Sequence, residues 1–239
     1  MNLGSHVGDA QESVTANCAA LQAVIGSRPV FLNQTHGVGV AILLQPSADG
    51  IEADACVTAQ RGLACTIMVA DCLPVLLATA CGSVIGAAHA GWRGLAGNKN
   101  SGQGVLEAAV AAIHKSFSAL AHANRARAAP EIIAWLGPCI GPTAFEVGAE
   151  VVAAFASTQA DAGRCFTSAG IDKYKADLAG LACLRLQALG VSRISGNDST
   201  LEWCTAGNAS RFFSHRRDAG VTGNARGTTG RMAASIWLV

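Results

Sequence analysis

The chain has 239 residues, 51% apolar and 14% charged, with 17 Lys and Arg against 16 Asp and Glu for a formal net charge of +1. That composition is enough for a large buried core and argues against disorder, and the near-neutral balance lacks the basic excess of a nucleic-acid protein. Nine cysteines, an odd number with no C-x-x-C pair, exclude a disulfide scaffold and fit small buried thiols in a reducing cytoplasm.

The opening residues MNLGSHVGDAQES carry neither a basic n-region nor an apolar h-region, so no secretory signal is expected. Asp71 and Pro74 interrupt the longest apolar region, which stays short of the ~18 residues of a membrane span. Asp9, with Glu12 three residues on, has capping-box spacing. The helix that follows would bury Val14, Cys18, Leu21 and Val24 or Ile25, and end at Gly26 and Pro29. Residues 30–35 and 38–44 are predicted strands flanking a turn at His36-Gly37, and ADACVT (53–58) is a short strand. Segments 63–69, 73–78 and 83–88 are apolar on both faces, as strands covered on both sides are. After Trp92-Arg93-Gly94 a Gly-rich loop leads to a helix over about 105–120, with Val105, Ala109, Ala112, Ile113 and Phe117 inward. A strand at 132–136 runs into GPCIGP, two Gly-Pro turns around Cys139. Helices follow near 148–156 and over 174–189, the latter with a Leu178, Leu181, Ala182, Leu186, Leu189 stripe stopped at Gly190. Segment 191–195, the Phe212-Phe213 region and 232–238 supply closing strands. No repeat, linker or low-complexity segment divides the chain, which reads as one domain over 1–239.

His6, His114 and His122 have no acidic partner patterned around them and read as ordinary surface or core histidines. His36 and His89 differ, because each ends an apolar strand and is followed by glycine-containing turn sequence. Cys72 follows Asp71 at a strand break set by Pro74. One thiol and two imidazoles form a mixed S/N set suited to Zn²⁺, and three protein ligands leave one position open, as in catalytic zinc sites. The same residues also allow a metal-free reading, a Cys72 thiolate activated by His89, or an inert buried Cys72 beside a hydrogen-bonded His89. Asp71 is the candidate for proton transfer or for orienting the site. Arg93, Arg211, Arg216, Arg217 and Arg231 flank predicted strand ends, and guanidinium forks suit phosphate or carboxylate. Arg93, Arg216 and Arg231 are assigned to substrate. The loop at 94–104 lacks G-x-x-x-x-G-K-[ST], and no G-x-G-x-x-G lies between a strand and a helix, so nucleotide cofactors are not indicated.

Taken in order, NLGSHVGD, NQTHG, ADACVT, ADCLPVLL, AAHAGWRG, WLGPCIGP, FEVG, KYKADL, RFFSHRRD and TGRMAASIWL closely resemble the blocks of the multicopper-polyphenol-oxidase-like family. It is also called the laccase-domain, YfiH or peptidoglycan-editing-factor family, with the animal protein FAMIN among its members. The resemblance covers essentially the whole chain. It implies an α+β fold, a layered α/β/β/α sandwich with mixed sheets grouped with cytotoxic-necrotizing-factor-like enzymes. It implies zinc held by His36, Cys72 and His89, with copper as the metal of the older laccase description. It implies purine nucleoside phosphorolysis of adenosine, inosine, guanosine and methylthioadenosine, and adenosine deamination, by a monomer or weak oligomer. Peptidoglycan-precursor editing and copper-dependent polyphenol oxidation are alternatives attached to the same family, and a Cys72–His89 hydrolase is the alternative from the residues. The H-x-E and P-C-x-x-C signature of nucleobase deaminases is absent. Family members usually carry a strand and a Gly-Gly-rich turn ahead of the NLG block, which here begins at Met1. Segments around Asn98–Gln103 and between Asp218 and Thr229 read as insertions able to alter substrate loops.

Overall fold

The computed structural model describes residues 1–98, 101–121, 129–218 and 228–239. The chain opens with α1 (Gln11–Ile25), β1 (Arg28–Phe31), β2 (Val40–Ile42) and β3 (Ala55–Thr58). The apolar centre becomes β4 (Leu63–Val69), β5 (Leu73–Thr79) and β6 (Ile85–Ala90), then the short α2 (Trp92–Ala96) and the long α3 (Val105–Ala121). Next come β7 (Ile132–Leu136), β8 (Glu146–Gly148), α4 (Ala149–Ala156), β9 (Phe166–Gly170), β10 (Lys173–Ala176) and α5 (Leu178–Ala188). The chain closes with β11 (Arg193–Gly196), α6 (His215–Asp218) and β12 (Met232–Trp237). No helix among the described residues is long and apolar enough to cross a membrane.

Two mixed sheets stack. The larger has the order β11-β7-β5-β6-β3-β2, the smaller β1-β4-β12, and a separate antiparallel sheet runs β8-β10-β9. Strand alternation decides what each face meets. On β5, Leu73, Val75 and Leu77 point to a core shared with α3, α4 and α5, where Ile113, Phe155 and Leu181 are fully buried. Leu76 and Ala78 point the other way, to a second core with Val30, Cys65 and Ile67 of the smaller sheet. Helix α1 lies beside β1. The layers are therefore helix, three-stranded sheet, six-stranded sheet, helices, which is the α/β/β/α order expected.

Several local expectations are corrected. No capping box forms at α1: the Asp9 side chain accepts from Asn2 and from its neighbour Ala10 instead, and Val24 is 85% exposed while Ile25 is buried. The segments around His36 are shorter than predicted and join different sheets, since β1 pairs with β4 and β2 with β3. The helix predicted over 174–189 begins at Leu178, because Asp177 caps it by accepting from the Gly180 N–H at 2.8 Å. Residues 173–176 instead pair antiparallel with β8 and β9. Phe212 and Phe213 lie in irregular chain ahead of α6 rather than in a strand. His122 and most of the predicted insertion between Asp218 and Thr229 lie outside the described residues, as do two residues of the insertion at 98–103.

Candidate metal centre

His36, Cys72 and His89 come together at one end of the two-sheet sandwich. Register explains how. In the β5–β6 pair, Leu73 stands opposite Ala90 and Pro74 opposite His89; one residue further, Cys72 faces Gly91. Cys72 and His89 are thus diagonal neighbours on one face, a spacing that long side chains bridge. In the β3–β6 pair, Ala55 stands opposite Ala88, and extending that register sets Asp54 against His89. The His89 N–H donates to the Asp54 carbonyl at 2.7 Å. His36 arrives from the loop between β1 and β2 with φ at 62°.

The Cys72 Sγ lies 3.8 Å from His36 Nε2, the two imidazoles meet edge-to-face with centroids 4.7 Å apart, and one ligand atom from each residue falls within 4.8 Å of the others. Tetrahedral zinc with metal–ligand bonds of about 2.0–2.3 Å separates its ligand atoms by about 3.6 Å. The donor set and spacing fit such an ion after a small contraction. This is the one cluster of this kind among the described residues. The charges suit it too. Burial works against the Cys72 thiolate, but bonds from His36 and His89 outweigh it and bring the thiol down to about 6. Burial also opposes charge on His89, yet the Asp54 and Cys72 partners raise it to about 9. A cation entering this set displaces a proton from His89, so its uptake weakens as pH falls.

Asp54, which the sequence reading passed over inside ADACVT, is the buried centre of the framework. Its carboxylate accepts from His89 Nδ1 at 2.8 Å, from the N–H groups of Thr35, His36 and Gly37 at 3.1, 2.9 and 2.6 Å, and from the Thr35 hydroxyl at 3.1 Å. Burial raises its proton affinity, but these bonds prevail and hold it down to about 2. The signal available in sequence was a lone acid among the apolar residues of a strand. Two glycines are as strict. A Cβ at Gly91 would stand 3.1 Å from both Cys72 Sγ and His36 Cδ2, and one at Gly94 would stand 2.6 Å from the Gly37 carbonyl oxygen. The glycines of HAGWRG therefore let α2 close over the cluster.

The cluster opens into a cavity of about 570 Å³ whose walls include Met68, Trp92, Ile140 and Phe145. Arg93, Arg216 and Arg231, each assigned to substrate from sequence, all line it, as do His6 and His215. Among the described residues, none of these three arginines is ion-paired with a carboxylate. Arg93 lies over the Trp92 ring at 4.5 Å, Arg216 donates to the Glu146 carbonyl at 3.1 Å, and Arg231 donates to the carbonyls of Thr229 and Gly230. Arg28, Arg185, Arg193, Arg211 and Arg217 are all ion-paired, which removes Arg211 and Arg217 from the candidates. Burial lowers the Arg231 pKa and outweighs the Cys72 and Asp71 charges, which act to raise it. Asp71 is the one carboxylate lining the cavity among the described residues. Its φ is 91°, and its oxygens accept from the Thr205 hydroxyl at 2.5 Å and the Arg216 N–H at 2.6 Å.

Residues 1–239 match the model of a family described as multi-copper polyphenol oxidoreductase laccase. The chain is 42% identical over 242 residues to an Escherichia coli protein named purine nucleoside phosphorylase YfiH, covering all of this chain and 86% of that one. It is 41% identical over 239 residues to a Pseudomonas aeruginosa protein also named a purine nucleoside phosphorylase, with the same coverage. Among solved structures, a Neisseria meningitidis protein superposes with a TM-score of 0.80 at 38% identity, covering 99% of this chain and 86% of that one. YlmD from Geobacillus stearothermophilus does so with a TM-score of 0.78 at 29% identity, covering 99% and 84%.

Proposed function

Because this chain belongs to the multi-copper polyphenol oxidoreductase laccase family, whose similar members include proteins named purine nucleoside phosphorylases, we propose that it is a purine nucleoside phosphorylase with one zinc ion held by His36, Cys72 and His89. The observation that carries the reading is the pairing of that cluster with three arginines around one cavity that have no ion-pair partner among the described residues. Phosphorolysis needs a phosphate placed against C1′ of a ribose as the C1′–N bond to the purine breaks and a C1′–O bond forms. Guanidinium groups without an internal anion are free to take that phosphate through charge-assisted, bidentate bonds. Trp92, Ile140, Phe145 and Met68 offer apolar and aromatic surface to the base. A zinc ion at the cluster would supply Lewis acidity for charge that develops during the reaction.

Asp71 is assigned two parts. It ties Thr205 and Arg216 to the turn before β5, and as the carboxylate lining the cavity it is positioned to move a proton. The expected substrates are inosine, guanosine, adenosine and methylthioadenosine, with deamination of adenosine at the same site, in the cytoplasm, by a monomer or weak oligomer. Purified protein given inosine and phosphate should release hypoxanthine and ribose 1-phosphate and carry about one zinc. No turnover of any of these nucleosides, with or without phosphate, overturns the reading.

A second reading has its own support: Asp54, His89 and Cys72 stand in the order orienting carboxylate, imidazole and thiolate, as in cysteine hydrolases. Full activity after metal removal would favour it, and His36→Ala would then change little. Stoichiometric copper with oxygen consumption on phenols would favour the oxidase that the family description names.

A further inference from the structure

The three donors differ in how they are held. Cys72 is set by the start of β5, which it immediately precedes, but His36 sits on a loop and His89 could turn either ring nitrogen toward the cluster. Both freedoms end at one side chain. We propose that Asp54 is a positioning residue that sets two of the three metal donors together; this rests on the metal reading above. Its carboxylate is 0% exposed and accepts five hydrogen bonds from two sources, the His89 ring on one side and the Thr35–Gly37 backbone on the other.

Each set has a distinct consequence. Because Nδ1 of His89 donates to Asp54 Oδ1 at 2.8 Å, the proton is fixed on Nδ1 and the Nε2 lone pair is left for the metal. Because three consecutive N–H groups converge on the same carboxylate, the loop is gathered into a turn that holds His36 at φ 62°, in a region most side chains avoid. The His36 ring then meets the His89 ring at 4.7 Å. Only an acceptor with two oxygens and no donor serves both groups. An amide at this position would aim its NH₂ at either the ring N–H or the turn, and a longer acid has no room.

The test uses full-length protein, stripped with a chelator and titrated with Zn²⁺ against a chromophoric competitor, in wild type, Asp54→Asn and Asp54→Glu. Both variants should bind zinc roughly 10- to 100-fold more weakly than wild type, and Glu should not rescue. In Co²⁺-loaded protein the thiolate-to-metal band should persist while the ligand-field bands shift, because Cys72 keeps its place and the imidazoles lose theirs. Zinc bound by the wild type and within twofold as tightly by folded Asp54→Asn overturns the assignment while leaving the metal site standing. A wild type that takes up no zinc overturns the metal reading and the assignment with it. Should the variants not fold, nitrogen NMR of the His89 ring in zinc-loaded wild type decides: a protonated Nδ1 and a metal-bound Nε2 support the role, and the opposite pattern overturns it.

Discussion

The two sides of the cavity are built in opposite ways. On one side, His89 is buried on β6, Asp54 is buried beside it, and an added methyl group would crowd Cys72 and His36 at Gly91 and clash with the Gly37 carbonyl at Gly94. On the other, Arg93 and Arg216 are exposed, sit on or beside short helices, and rest on rings and carbonyls rather than on carboxylates. The first side is fixed by register and packing, so it can impose ligand geometry to within a fraction of an ångström. The second keeps cationic charge unmatched, which costs little at an exposed site and leaves the partner to be supplied by the substrate. On the function proposed above, a frame set by strands would serve the reacting centre, and adaptable arginines would serve recognition.

If that division is right, substitutions on the two sides should fail differently. The largest effect is expected from Cys72→Ala, which removes a donor outright: metal content should fall to background and phosphorolysis by more than about 100-fold, beyond the loss usual for an outer partner, as read by elemental analysis and initial rates. Arg231→Ala or Arg216→Ala should raise the KM for phosphate by about 10- to 100-fold, from the ~1.5–3 kcal/mol of a charged hydrogen bond, with zinc content unchanged. Zinc loss in these variants would break the comparison. Gly94→Ala forces a Cβ toward the Gly37 carbonyl and should cost about 1–3 kcal/mol in denaturant unfolding, with faster zinc release and little change in the phosphate KM. Thr205→Val deletes one of the two bonds to the Asp71 carboxylate; a loss of about 1.5 kcal/mol is expected, again by denaturant unfolding. The smallest effect belongs to Arg193→Ala, whose arginine is exposed and paired with Glu131 at 3.5 Å. Stability should move by less than about 1 kcal/mol and the phosphate KM not at all, which isolates the cavity arginines from arginines in general.

Much of this was legible in the chain. His36, Cys72 and His89 stood out because polar ligands at the ends of apolar strands conflict with local propensity, and such conflicts gather at functional sites. The central strands were legible because burial on both faces leaves continuous apolar runs. Asp54 was not, because its importance lies in five hydrogen bonds to residues 17 to 35 positions away, and no local pattern encodes them. The β8–β10–β9 sheet was missed for a related reason. KYKA carries two lysines and grades from the exposed Lys173 to the buried Ala176, so it lacks the alternation that announces a strand. Arg211 and Arg217 of RFFSHRRD, left out of the substrate assignment, are ion-paired with Glu202 and Asp218, while Arg216 lines the cavity.

The pairing of β12 with β4, from Met232 against Val69 to Trp237 against Ala64, bears on the order of events during synthesis. The donors at 36, 72 and 89 emerge from the ribosome early. The strand that completes the smaller sheet, with Arg231 beside it, emerges well after them, and Thr205 and Arg216, which anchor Asp71, come only shortly before that strand. A nascent chain therefore displays a thiol and two imidazoles before the walls that select what reaches them exist. On the metal reading proposed above, a chain cut short before Thr205 would present these donors without their enclosure, open to whichever soft cation is abundant.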